Sequence, residues 1–258
     1  MLLMGYLRYV AVGDSQTEGL NDGDEASGYR GWADRFAELL AAVEPGLCYA
    51  NLAVRGRLAR QVRAEQLDAA LALNPDLVTV MAGMNDLVRP GFDAAVTAAE
   101  LEAMLAAFDG TGTRVVTFTF PDVAKIAPIA RRLRPRVIEL NERIREAAAR
   151  HGVLVVDTFG YPITVDPRLW SADRIHATPL GHARIAAAVA DALNLPGSDG
   201  SWADPLPPLP PAPAWRTAAR ELAWVFAFLG PWVIRRLRGR SSGDGRAAKR
   251  PCLTAVSG

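Results

Sequence analysis

Three side chains in this 258-residue sequence have the chemistry needed to attack a carbonyl: Ser15, Asp173 and His176. A serine hydroxyl is a poor nucleophile until a base takes its proton, and imidazole is the side chain that does so near neutrality. His176 is the candidate base. Asp173, three residues upstream, is placed to fix the imidazole tautomer and to stabilise its protonated form. Attack on a carbonyl puts negative charge on oxygen, and each donor aimed at that oxygen is worth about 3 to 4 kcal/mol. The Ser15 and Gly56 N–H groups and the Asn85 side-chain amide suit that role. Together the set supports acyl transfer through a serine, with His176 moving the proton and water resolving the acyl-enzyme.

Each of these residues also has a structural explanation when taken alone. Gly13-Asp14-Ser15 is a common turn, Gly83-Met84-Asn85-Asp86 suits a turn after a strand, and a single histidine fits a hydrogen-bonded loop. What favours chemistry is order and placement. Tyr6–Val12, Leu47–Ala53, Leu77–Met81, Val115–Phe120 and Val153–Val156 are short apolar runs that read as five buried strands. Ser15 follows the first, Gly56 the second and Asn85 the third, while Asp173-Arg174-Ile175-His176 lies beyond the fifth. Helical spacing marks Trp32–Val43, Leu58–Leu73, Ala94–Phe108, Arg136–Arg150 and a last helix from Pro179 to about Leu195. Strand and helix in alternation imply a parallel sheet with helices on both faces, and sites in such sheets assemble at the carboxyl ends of the strands. All the candidate residues then share one rim.

The composition, 50% hydrophobic and 22% charged, is that of a globular chain, long enough for one α/β domain of about 200 residues with an appendage. The sequence divides into a domain over 1–195, a proline-rich linker over 196–214, an aromatic and basic helical segment over 215–240 and a disordered tail over 241–258. Residues 1–213 carry 20 basic and 26 acidic side chains, and 214–258 carry 9 and 2, so a basic arm follows an acidic body. Cys48 and Cys252 are too few for a disulfide framework or a four-cysteine zinc site, and the expected compartment is reducing and cytoplasmic. No secretory leader is apparent, because the apolar start runs directly into Gly13-Asp14-Ser15. Leu222–Ile234 is apolar but contains Pro231 and falls short of the roughly 20 residues of a spanning helix.

Four ordered blocks, Gly13-Asp14-Ser15, Asn51 through Gly56, Gly83-Met84-Asn85-Asp86 and Asp173-Arg174-Ile175-His176, resemble those of the SGNH or GDSL-type serine hydrolases. The resemblance covers about residues 6–195. It implies a three-layer α/β/α sandwich, flavodoxin-like, with a five-stranded parallel sheet. It also implies a nucleophilic Ser15, a His176–Asp173 pair, oxyanion donors from Ser15, Gly56 and Asn85, no metal or organic cofactor, and a small-molecule ester as substrate. One departure is Ala177, where the family commonly has Pro directly after the His. Pro179 follows two positions later, and the pair is expected to stay in place. The family's substrates range from short-chain esters and acetylated sugars to lysophospholipids and thioesters, so the acyl and alcohol groups stay open. Two other readings of the same residues stay open as well: a non-enzymatic ligand- or partner-binding module, and an acyltransferase with the same triad.

Other residues read less sharply. His182 looks like a packing or capping histidine, His151 a helix C-cap, Cys48 a small core residue, and Asp14 and Asp86 scaffolds for the loops carrying Ser15 and Asn85. Thr17, Glu18, Asn21, Asp22, Tyr29, Arg30 and Trp32 either face substrate or, for Glu18 with Gly19, shape the turn into the first long helix. Arg55 and Arg57 either bind an anionic substrate or are simply solvated. The tail segment 215–240 has three readings: contact with an anionic membrane interface, a partner or nucleic acid held by its arginines, or docking on its own domain. Nucleic acid is not expected.

Overall fold

The computed structural model describes residues 5–209, 213, 219, 222–230 and 241–256. In chain order these form β1 (Arg8–Gly13), a one-turn helix α1 (Ser15–Glu18), the small hairpin β2 (Gly23–Asp24) and β3 (Gly28–Tyr29), then α2 (Gly31–Val43), β4 (Cys48–Asn51), α3 (Ala59–Ala72) and β5 (Leu77–Met81). There follow α4 (Met84–Leu87), α5 (Ala94–Ala106), β6 (Arg114–Phe118), α6 (Val123–Ile126), α7 (Arg134–Arg150), β7 (Leu154–Val156), α8 (Pro179–Ala192) and β8 (Arg250–Ala255). The expected strands and long helices of the first 195 residues are all present, with ends shifted by at most three residues.

Successive side chains of a strand point to opposite faces, and β1 shows what this does. Tyr9 and Ala11 enter one core with Trp32, Phe36 and Leu40 of α2 and Val189 of α8. Val10 and Val12 enter the other with Val62 of α3, Leu101 and Met104 of α5, and Leu140 and Ile144 of α7. Helices α2 and α8 therefore cover one face, and α3, α5 and α7 the other. The strand order is β7-β6-β5-β1-β4-β8. The first five are mutually parallel. Their order is the flavodoxin-like one, whose direction of winding reverses beside β1, where ligands bind.

The sheet has a sixth strand, which corrects two sequence expectations. Arg250–Ala255 pairs antiparallel with β4, Tyr49 opposite Thr254 and Asn51 opposite Arg250. The tail is thus not disordered over 241–256, and the sheet is not purely five-stranded and parallel. The polar, glycine-rich stretch before it masks the strand in sequence, whereas the free edge of β4 supplies the hydrogen bonds that order it. Pro251 is tolerated because β8 is itself an edge. The linker docks on the domain over its described part: Trp202 donates from Nε1 to Asp191 (3.0 Å) and packs against Tyr161. Of the helical segment expected over 215–240, residues 219 and 222–230 are described and helical; the arginines of 235–240 lie outside the described residues. No helix among the described residues is long and apolar enough to cross a membrane.

Candidate active site

Ser15 stands at the carboxyl end of β1, where the chain turns abruptly into α1. A side chain at Gly13 would come within 2.5 Å of the Met81 carbonyl, so the end of β1 lies against β5 only because this residue is glycine. The buried Gln66 amide clamps the Gly13 peptide, accepting from its N–H and donating to its carbonyl at 2.9 Å each. Asp14 then caps α1 by accepting from Gln16 N–H. The backbone on either side of the nucleophile candidate is thus held by side-chain hydrogen bonds, and Ser15 itself is 7% exposed.

His176 meets Ser15 across 161 residues. Its Nε2 lies 2.9 Å from Ser15 Oγ, and its Nδ1 lies 2.7 Å from Asp173 Oδ2. The loop is closed by a bridge between Trp170 and Ala177 and by Ser171 N–H donating to the His176 carbonyl. Within it Asp173 Oδ1 accepts from the N–H groups of Ile175 and His176 and from Ser171 Oγ. Burial alone would raise the Asp173 pKa, but the hydrogen bonds and charge of His176, with these other donors, outweigh it and hold the carboxyl far below the ordinary range. Asp173 is thus an anion at any pH near neutral. Ala177, in place of the common Pro, leaves the pair intact and gives its N–H to Gln16 Oε1 (3.3 Å), while Gln16 Nε2 donates to the Ile175 carbonyl (2.7 Å). Sequence reasoning passed over Gln16, whose partners are distant in the chain.

The three proposed donors are not equivalent. Gly56 has φ of +74°, a conformation costly for other residues, and neither its N–H nor that of Ser15 has a hydrogen-bond partner among the described residues. The Asn85 amide is committed: Nδ2 donates to Asp14 Oδ2 and to the Arg57 carbonyl, both at 3.0 Å. Asp14 is fully buried, and desolvation pushes its pKa up to about 7 against the hydrogen bonds from Gln16 and Asn85. Asp86 accepts from Ala59 N–H and ties α3 to the Asn85 turn, so both aspartates act as scaffolds.

The residues around Ser15 settle the turn-shaping alternative for Glu18. Its carboxylate is buried and accepts from Arg55 N–H (2.7 Å) and Nε (2.9 Å). Arg55 pairs with Glu18 and Glu25, and Arg57 with Glu65, so both guanidinium groups already have carboxylate partners. Trp32 and Thr17 are buried, Asp22 pairs with Arg35, and Arg30 with Glu38. Asn21, exposed, donates to Ser171 Oγ and to Asp173 Oδ2. His151 caps α7 and bonds Asp109, and His182 is wholly buried between Trp32 N–H and the Leu20 carbonyl. Cys48 is half-buried. No group of three or more His, Cys, Asp or Glu among the described residues is arranged to hold a metal ion.

The family model for GDSL-like lipases and acylhydrolases matches residues 11–184. The chain belongs to this family. Its members hydrolyse esters, and this hydrolase is an esterase or acylhydrolase. No curated protein matches it in sequence. Among solved structures it is similar to LAE5, an alpha/beta hydrolase enzyme from the metagenome of Lake Arreo, Spain (25% identity, TM-score 0.61, 72% of this chain and 94% of that one). It is also similar to Axe2, an acetylxylan esterase from Geobacillus stearothermophilus (20%, 0.60, 76% and 96%), and to the lipase/acylhydrolase from Enterococcus faecalis (23%, 0.58, 71% and 93%).

Two features of the hydrolase frame the Ser15 turn. One is an apolar cavity of about 80 Å³ lined by Asp14 and Gln16, the neighbours of Ser15, and by Met84, Phe120, Ile163 and Ile185. The other is the C-terminal segment. Trp224, 9% exposed, donates from Nε1 to the Asp173 carbonyl (3.1 Å), with the Arg174 guanidinium 5.0 Å above its ring. Ser241 donates to the Gly56 carbonyl at 3.4 Å.

Proposed function

We propose that this hydrolase is a serine esterase that cleaves small carboxylic esters through an acyl-enzyme on Ser15. The observation that carries the reading is the unbroken hydrogen-bonded chain Ser15 Oγ–His176–Asp173, at 2.9 and 2.7 Å. Asp173, held anionic, takes the Nδ1 proton of His176 as a hydrogen bond and leaves Nε2 free to accept from the serine hydroxyl. As Ser15 Oγ attacks, its proton passes to Nε2 and the carbonyl oxygen becomes an anion. The N–H groups of Ser15 and Gly56, without a partner among the described residues, receive that anion. Asn85 joins them by exchanging the neutral Arg57 carbonyl for the charged oxygen, since hydrogen bonds to an ionised acceptor are about twice as strong as neutral ones. His176 then protonates the leaving alcohol, and a water molecule, deprotonated by the same imidazole, releases the acid.

The apolar cavity beside Gln16 is suited to the acyl group. It is small: about 80 Å³, against about 150 Å³ for a cavity that holds benzene. The substrate class is therefore esters of short acyl chains.

Replacing Ser15 with Ala tests the whole reading. Turnover of p-nitrophenyl acetate and covalent labelling by a fluorophosphonate should both vanish. Wild-type turnover in Ser15→Ala would remove the proposal.

A further inference from the structure

The family match ends at residue 184, yet a lysine 65 positions later sits under the nucleophile turn. Lys249, immediately before β8, places its ammonium within hydrogen-bonding distance of four oxygens: the carbonyls of Glu18 (2.6 Å), Tyr29 (2.7 Å) and Arg30 (3.2 Å) and the carboxylate of Asp34 (2.5 Å). Glu18 is the last residue of α1, and Tyr29–Arg30 ends the loop that leaves it. Lys249 thus joins the two ends of the loop that begins one turn after Ser15.

That contact continues toward the other donor. The Glu18 carboxylate accepts from Arg55 N–H, the peptide next to Gly56, and from the Arg55 guanidinium. Arg55 also pairs with Glu25, which pairs in turn with Arg246 of the tail. The Ser241–Gly243 turn lies so close to Arg55 and Gly56 that a side chain at Gly243 would collide with the Arg55 carbonyl, and one at Gly56 with the Ser241 hydroxyl. A buried ion pair is weak evidence for stability, and this one joins backbone groups on both sides of the site.

We propose that Lys249 is a positioning residue of the hydrolytic site: carried in by β8, it fixes Glu18 and, through the Glu18–Arg55 pair, sets the spacing of the Ser15 and Gly56 N–H groups. This inference rests on the oxyanion role proposed above for those groups. Lys249 touches no reacting atom. Its effect is on the placement of donors that matter most once the carbonyl oxygen has become charged, so it acts on kcat and leaves substrate binding alone.

The test uses the full chain and p-nitrophenyl acetate. Lys249→Met keeps the apolar stem and removes the ammonium; Glu18→Gln breaks the onward pair. Each should lower kcat roughly tenfold to a hundredfold, the scale set by small misplacements of reacting groups, with KM within about twofold. Arg246→Gln, on the exposed arm of the same network, should leave kcat at the parental value. The double variant Lys249→Met/Glu18→Gln should lose no more than the worse single one, as for two residues on one route. Folding is checked by circular dichroism. Parental kcat in folded Lys249→Met overturns the inference, and so does parental kcat in Glu18→Gln if the lysine variant does not fold. Fluorophosphonate labelling of the parent, measured beside these, separates the two failures: a labelled parent with unaffected variants sinks only the role of Lys249, and an unlabelled parent sinks the serine mechanism.

Discussion

The Gln16 side chain grips the backbone on both sides of His176, donating to the Ile175 carbonyl at 2.7 Å and accepting from the Ala177 N–H at 3.3 Å. Because Gln16 follows Ser15 directly, one amide fixes the base relative to the nucleophile across 161 residues. Gln16→Ala should therefore reduce kcat by roughly tenfold or more with little change in KM, the cost of losing orientation in a bound complex. Steady-state kinetics on a short aryl ester checks this, and an unchanged kcat would show that the Trp170–Ala177 bridge suffices to hold the loop.

Asn85 presents a sharper choice. Both protons of its amide are engaged in the free enzyme, one by Asp14 and one by the Arg57 carbonyl. If the developing oxyanion displaces Arg57, Asn85→Ala should lose about 10²- to 10³-fold in kcat, as for removal of one oxyanion donor. A loss of under about tenfold would assign Asn85 to holding Asp14 and leave the hole to the two backbone groups.

The size of the apolar cavity predicts a chain-length profile. Each methylene that enters such a space contributes about 0.8 kcal/mol, so kcat/KM should rise about fourfold per carbon and then level off once the space is full. In a series of p-nitrophenyl esters the plateau is expected among short acyl chains. A continued climb from butyrate through laurate would contradict the assignment of this cavity to the acyl group.

His182 predicts a pH dependence of stability. Its Nδ1 accepts from Trp32 N–H and its Nε2 donates to the Leu20 carbonyl, so the neutral ring satisfies both partners and a second proton would face a donor. Burial lowers its pKa from 6.5 to about 4, against the pull of Leu20 and Asp22. The unfolded chain takes up this proton first, so the stabilisation is complete above about pH 6.5 and is lost as pH falls toward 4. Asp14, with its raised pKa, works in the opposite sense and is removed by comparing parent with variant. The stability gap between the parent and His182→Gln, from urea unfolding, should shrink by about 2 kcal/mol between pH 7 and pH 5, at about 1.4 kcal/mol per unit. A constant gap would refute the neutral buried form.

Much of this architecture was legible in the sequence wherever the physics is local. Leu77–Met81 is buried on both faces and reads as a strand with its true ends, and Pro179 marks the start of α8 to the residue. Asp173 and His176 are three apart, so their contact follows from a single turn. Gln16 and Lys249 were not legible, because a lone amide and a lone lysine carry no spacing signal. Their partners lie 159 and 231 residues away. The same holds for β8: its segment is weak as a strand until β4 offers an unpaired edge. For Asn85 the residue was visible in its motif, but its commitments to Asp14 and Arg57 depend on how three turns pack.

With β8 laid along β4, the two borders of the sheet among the described residues are β7, only three residues long, and β8 itself. A stretch that short templates poorly, and β8 itself carries Pro251, which interrupts the row of donors a foreign strand would need. A sheet bordered in this way is a poor template for cross-β pairing with its own copies.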